Sequence, residues 1–364
     1  MSRSKGYFMK LFVVFLLLYG CGSEPVNEPG AFIYTYSNYD KPGPYKVKTI
    51  EFADLEDPER QNYKVPIKVH YPDGEGDFPL VIMSHGAGGG WDSHLYQSEH
   101  LASHGYVVFC LDHTSSDAQR VRYYMSSEGG GMLYIDAMNQ VAKDADAMLG
   151  MPGDVTFAID QAVIWNNTNP DLTGRIDTRK IGMMGHSYGG YTTLVIAGAQ
   201  PIRDNMVPTQ NPPTGLVDGL SDPRVTFGFA MSPPPVGHFF NNESFKTINR
   251  PLVILTGPDD VVADVTEEMR LEMFKLLPPG NKYLFWISGA DHLSFADSPW
   301  IRSQSSSDLS SQAREEVQRI SKALMVVSCD YFLKEKKEAA NFLTEVYVDS
   351  LRGNVVDEVE LMQK

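Results

Sequence analysis

Cysteine is scarce in this chain. Three in 364 residues are too few to staple a small disulfide scaffold. Positive charge is also short, with 31 Lys and Arg against 46 Asp and Glu. The resulting formal charge of −15 would repel a phosphate backbone, which excludes nucleic acid as a partner. Long apolar runs are missing apart from the nine residues Leu11–Tyr19, so a multi-span membrane protein is excluded. No short period marks a fibrous or low-complexity chain, and no longer repeat marks a solenoid. There is no His-Glu-x-x-His helix, no Cys-x-x-Cys, no phosphate loop and no Gly-x-Gly-x-x-Gly after a strand, so neither metal nor cofactor is expected. What is present, 42% apolar and 21% charged residues, is enough to bury a large core.

The N-terminus reads as an address. Arg3, Lys5 and Lys10 precede Leu11–Tyr19, and Gly20-Cys21 follows. A charged start, a short apolar stretch and a small residue make a secretory signal, expected over residues 1–20. Leu18-Tyr19-Gly20-Cys21 resembles the lipobox of bacterial lipoproteins, which implies lipid modification of Cys21 after cleavage. Several acyl chains on one cysteine anchor firmly where a single chain is marginal. Residues 21–44, rich in Gly, Pro, Ser, Asn and Tyr, then read as a tether, and residues 45–364 as the folded domain. The resemblance implies a bacterial cell-envelope location, lipid-anchored or secreted. Gly22 stands where inner-membrane lipoproteins often carry an aspartate, which points to the outer membrane. Cys110 and Cys329 lie in apolar and helical runs and read as buried thiols; the sequence leaves their pairing open.

From residue 78 onward strand-like and helix-like segments alternate, which predicts an α/β domain with a mostly parallel sheet and helices on both faces. Strands are expected at Phe78–Ser84, Tyr106–Leu111, Lys180–Gly185, Val225–Met231, Leu252–Thr256 and Tyr283–Ile287. Helices are expected at His94–His104, Asp154–Asn166, Tyr188–Ala199, Thr266–Leu277 and Leu309–Leu333. Tyr45–Asp54 and Tyr63–Tyr71 alternate and predict a hairpin at the sheet edge. Ala339, Phe342, Leu343 and Val346 are spaced for a C-terminal helix. Thr114–Leu149 and Gln200–Pro223 break the alternation and read as irregular insertions.

Gly185-His186-Ser187-Tyr188-Gly189-Gly190 falls between an expected strand and an expected helix, the context of a nucleophile elbow. A serine held in a strained turn needs neighbours without Cβ atoms. Its hydroxyl also needs a base, and the base an orienting acid. His292, in the loop after the last expected strand, is the candidate base; His238, in a Pro-rich loop, is the weaker one. The acid is Asp259 or Asp260, both at the end of the strand Leu252–Thr256. Asp291 reads as loop structure and Asp264 as an N-cap. Backbone N–H donors for an oxyanion are expected from Tyr188 and, in the glycine-rich loop after Ser84, from Ala87. His85 and His186 read as structural supports, and Trp91, Tyr123 and Tyr124 as candidate pocket walls.

Four stretches carry a resemblance: Phe78–Gly86, Leu101–Val108, Gly185–Gly190 and His292–Asp297. They are similar to the platelet-activating-factor acetylhydrolase group and to the predicted dienelactone hydrolases of bacteria, both within the α/β-hydrolase superfamily. The likeness spans about residues 60–335. It implies an α/β-hydrolase fold with Ser187 as nucleophile, His292 as base, and Ala87 and Tyr188 at the oxyanion hole. The plasma acetylhydrolase carries its acid one strand earlier, where this chain has Ser232. The bacterial relatives place it three residues after a strand-end glycine, which selects Asp260. The expected function is a serine ester hydrolase acting on short-acyl or aryl esters, including phospholipid or polyester esters. A peptidase or amidase on the same residues and a non-catalytic envelope binding protein are the alternatives. No sequence feature predicts an oligomeric state.

Overall fold

The computed structural model describes residues 38–262, 264–297 and 311–364. The expected signal segment 1–20 and Cys21 lie outside them. Residues 38–44 of the expected tether fall within the described residues. Tyr39 is buried, edge-on to Phe342 and Tyr347, and its carbonyl accepts a 2.9 Å bond from His100 Nε2. Among the described residues no helix is long and apolar enough to cross a membrane.

The chain runs through β1 (Val47–Phe52), a small pair β2 (Glu56–Asp57) and β3 (Tyr63–Lys64), β4 (Ile67–Pro72), β5 (Phe78–Ser84), α1 (Leu95–Ser103) and β6 (Val107–Leu111). It continues through α2 (Ala118–Met125), α3 (Tyr134–Lys143), α4 (Ala145–Thr168), β7 (Ile176–His186), α5 (Tyr188–Ile196), β8 (Val225–Met231) and β9 (Leu252–Thr256). Last come α6 (Glu267–Leu276), β10 (Lys282–Ile287), α7 (Ser311–Phe332), α8 (Glu345–Ser350) and β11 (Val359–Gln363). Among the described residues nine strands form one sheet in the order β1-β4-β6-β5-β7-β8-β9-β10-β11. Neighbours from β6 to β10 are parallel, while β1–β4, β4–β6 and β10–β11 are antiparallel.

Every residue of β5, β6 and β9 is buried, as strands covered on both faces require. Alternate side chains go to opposite layers. Val81 and Met83 join Leu101 of α1 and Leu324 and Val327 of α7. Leu80 and Ile82 join Val155, Ala158 and Ile159 of α4. On that second side Ile254 and Leu284 pack with Leu194 of α5 and Met273 of α6. β5 has β6 on one flank and β7 on the other, so the chain reverses direction across the sheet there. A crevice above the strand ends at such a reversal is where this architecture places ligands.

Three expectations are corrected. Thr114–Leu149 is largely helical, holding α2, α3 and the start of α4. Pro152 lies inside α4, and the carbonyl it leaves without an N–H partner, that of Met148, accepts from Tyr191 Oη at 2.9 Å. The C-terminal segment is not simply helical: a 3-10 turn (Lys337–Phe342) and α8 lead into β11, which covers the edge of β10. Val346 is exposed, and Tyr347 and Val348 are buried instead. The cap of α6 is Thr266, not Asp264; its hydroxyl accepts from the Met269 N–H. Gln200–Pro223 is irregular, as expected. Cys110 and Cys329 are both buried free thiols, and burial pushes both thiols up.

Candidate active site

The C-terminal ends of β5, β7, β8, β9 and β10 converge on one site. β7 ends at His186, and Ser187 turns the chain directly into α5 with φ 56° and ψ −114°. That conformation is costly for a residue with a Cβ, and the flanking glycines make it possible. A Cβ on Gly185 would strike the Gly189 carbonyl, and one on Gly189 the Ser84 carbonyl.

His292 follows β10. Its Nε2 lies 2.9 Å from Ser187 Oγ and its Nδ1 2.9 Å from Asp260 Oδ1. The imidazole is only partly covered, with 16% of its side chain exposed, whereas Asp260 is fully buried at the end of β9. Asp259 points the other way, is exposed, and braces the Gly289 N–H at 3.0 Å. His238 lies beside Phe239 and hydrogen-bonds neither Ser187 nor Asp260 among the described residues. Asp291 closes a local turn with Ser294.

Asp260 is held from four directions. Thr256 Oγ1 donates to Oδ2 at 2.6 Å, and Arg270 of α6 donates Nη2 to Oδ1 at 2.8 Å and Nε to the Asp260 carbonyl at 2.8 Å. Arg270 is itself buried, and its third contact is the Pro233 carbonyl at 3.2 Å. Burial alone would raise the Asp260 carboxyl; the hydrogen bond and charge of His292 and the Arg270 guanidinium outweigh it and hold the group at about 2. The fourth neighbour is Ser232, at the end of β8 with φ 46°. Its Oγ lies 2.7 Å from His292 Nδ1, so the hydroxyl shares that proton with the carboxylate.

Sequence reasoning missed Arg270 and the Ser232 contact. Arg270 sits in a charged helical stretch, Glu267–Leu276, where an arginine reads as a surface residue. Ser232 is legible only as the place where an acid is not.

His292 is anchored from behind. Buried His186 donates Nε2–H to the His292 carbonyl at 2.6 Å, and burial holds its imidazole neutral, well below the ordinary range. Two turns on, the Asp297 carboxylate accepts from the Leu95 and Tyr96 N–H groups at the start of α1, at 3.2 and 2.8 Å. Across the site, Gly86 approaches so closely that a Cβ there would lie 3.2 Å from Ser187 Cβ. The neighbouring Ala87 N–H makes no hydrogen bond among the described residues, and neither does the Tyr188 N–H at the head of α5. Trp91 lies under Lys68, and Tyr123 and Tyr124 lie against Arg120, with Tyr124 Oη on Asp144.

A mostly parallel sheet, a serine on a glycine-flanked strand-to-helix turn, and a histidine and aspartate on later strand ends define the α/β-hydrolase fold. A family model described as platelet-activating factor acetylhydrolase, isoform II, matches residues 58–133, the stretch holding β5, the Ser84–Gly90 loop and β6. Platelet-activating factor acetylhydrolase of Cavia porcellus is 28% identical over 258 residues, 64% of this chain and 52% of that protein. Cutinase est2 of Thermobifida alba is 22% identical over 227 residues, 62% of this chain and 56% of that protein. Cutinase 2 of Thermobifida cellulosilytica is 26% identical over 133 residues, 36% of this chain and 39% of that protein. The chain thus spans just over half the length of the first two relatives.

Proposed function

We propose that this protein is a serine carboxylic-ester hydrolase that works through an acyl-enzyme. The observation that carries the reading is the unbroken line Ser187–His292–Asp260, two contacts of 2.9 Å each, opening beside two unused N–H groups. Ser187 Oγ attacks the ester carbonyl while His292 Nε2 takes its proton. The carbonyl oxygen, now negative, is held by the Ala87 and Tyr188 N–H groups. His292 returns the proton to the leaving alcohol, then activates the water that cleaves the acyl-enzyme. Asp260 keeps the proton on Nδ1 and stabilises the imidazolium.

The relatives' names point to an acetyl group in one case and to cutin in the other. Short-acyl or aryl esters, extending to phospholipid and polyester esters, are the substrate class that fits both. Lipid attachment at Cys21, following a signal at residues 1–20, would place the enzyme at the cell envelope; this part rests on the sequence alone. Hydrolysis of p-nitrophenyl esters from two to twelve carbons tests the reading. Turnover that favours short chains and vanishes in Ser187→Ala supports it. A wild-type protein that turns over no ester and takes no fluorophosphonate label overturns it.

A further inference from the structure

Behind the site lies a second serine–histidine–aspartate line that the proposed reaction does not use. Ser84 Oγ is 2.7 Å from His113 Nε2, and His113 Nδ1 is 2.7 Å from Asp154 Oδ2. All three residues are fully buried, so none can meet a substrate. Asp154 continues outward to Arg60 Nη1 at 2.7 Å, and Arg60 to Asp57 at 2.6 Å.

The proton positions follow from the partners. A carboxylate only accepts, so His113 carries its proton on Nδ1, and its Nε2 accepts the Ser84 hydroxyl. Burial lowers its pKa and keeps it neutral. The His113 backbone N–H in turn points at His85 Nε2, 2.9 Å away. That nitrogen accepts the N–H, so the His85 proton is on Nδ1 and goes to the Gly86 carbonyl at 2.7 Å, which also accepts the Gly89 N–H at 3.0 Å; burial lowers the His85 pKa, but Asp112, 3.5 Å from Nε2, outweighs it and raises it. The Gly86 carbonyl and the Ala87 N–H belong to one planar trans peptide and point in opposite directions. Pinning the first aims the second.

We propose that this buried line is the positioning element of the oxyanion loop: through His113 and His85 it fixes the plane of the Gly86–Ala87 peptide and the aim of the Ala87 N–H. The inference rests on the reading of Ala87 as an oxyanion donor. His85, His113 and Ser84 are positioning residues and touch no reacting atom.

The test compares a p-nitrophenyl ester with the matching thionoester, whose larger, weakly accepting sulfur gains little from an oxyanion hole. In His85→Ala and Ser84→Ala the ester kcat falls about tenfold or more, since loss of a whole donor costs about 100-fold or more. KM stays within about twofold, and thionoester turnover stays within about threefold, so the ester-over-thionoester ratio collapses. His85→Asn, which keeps a donor where Nδ1 stood, restores most of the ratio. Equal losses on both substrates, or an unchanged ratio in Ser84→Ala and His85→Ala, overturn the inference. Should His85→Ala not fold, Ser84→Ala and His85→Asn carry the same comparison. Ser187→Ala run alongside separates the two claims: a variant that stays active sinks the hydrolase reading itself, whereas a Ser187-dependent wild type with an unmoved ratio sinks only the positioning role.

Discussion

Two lines of the same three residue types cross this molecule. Ser187–His292–Asp260 and Ser84–His113–Asp154 have nearly the same spacing, 2.9 Å per contact in the first and 2.7 Å in the second. What separates them is surroundings. Ser187 stands in a left-handed turn with glycines on either side, next to a partly exposed imidazole. Ser84 is the last residue of an all-buried strand. Ser187 has N–H groups beside it that bond nothing among the described residues; the second line ends in an arginine. Residue identity and hydrogen-bond length do not by themselves make a nucleophile. On the proposed reading, access and waiting donors for the developing charge do.

The largest expected effect is from Ser187→Ala, which should cut ester turnover at least about 10,000-fold, measured on p-nitrophenyl acetate. Persistent turnover would break the comparison at its first term. Asp260→Asn should cost about 1,000- to 10,000-fold in kcat, and Asp259→Asn almost nothing; the reverse order would move the acid to the exposed neighbour. Arg270→Met leaves the Asp260 charge half-compensated in the core, and denaturant unfolding should show a loss of about 3 kcal/mol or more.

The same carboxyl gives a pH dependence. Its folded pKa of about 2 lies below the ordinary 3.8, so it stabilises the protein above pH 3.8 and that contribution fades as pH falls through about 2. In Arg270→Met the folded pKa rises, so the contribution is smaller and is exhausted at a higher pH. Buried neutral histidines act in the same direction at milder pH. Burial lowers His70, His94 and His104 to about 4 and His100 to about 3, from 6.5. The unfolded chain takes up these protons first, so stability should decline steadily between pH 6.5 and 4, read from urea midpoints. The smallest effect is Ser232→Ala, about threefold in kcat, because Asp260 still holds Nδ1 when the shared hydroxyl is gone.

Much of the outer line was legible beforehand because each part sits at a patterned place. The apolar run Phe78–Ser84 and the glycine-flanked Ser187 follow directly from local rules, and the expected strands Val225–Met231 and Leu252–Thr256 have their expected limits. The inner line had no such signal. His113 and Asp154 flank the stretch Thr114–Leu149 that was read as irregular, and Asp154 reads as the polar start of a helix when it is in fact deep inside one. Arg270 is hidden for the same reason: only the tertiary fold tells a buried guanidinium from an exposed one. β11 escaped notice because a short segment after a turn has no periodicity of its own, and pairing with β10 supplies the reason for its shape.

Chain separation adds a consequence in time. Ser84 and His113 are 29 residues apart and His113 and Asp154 are 41, whereas Ser187 must wait for a histidine 105 residues downstream. Closing short loops loses less entropy than closing long ones, and a chain emerging from the ribosome completes its early segments first. The inner line can therefore close while the polypeptide is still being made. On the proposed reading, the Ala87 side of the cradle is then set before the base arrives, and a nascent chain holds that mould around an unarmed serine.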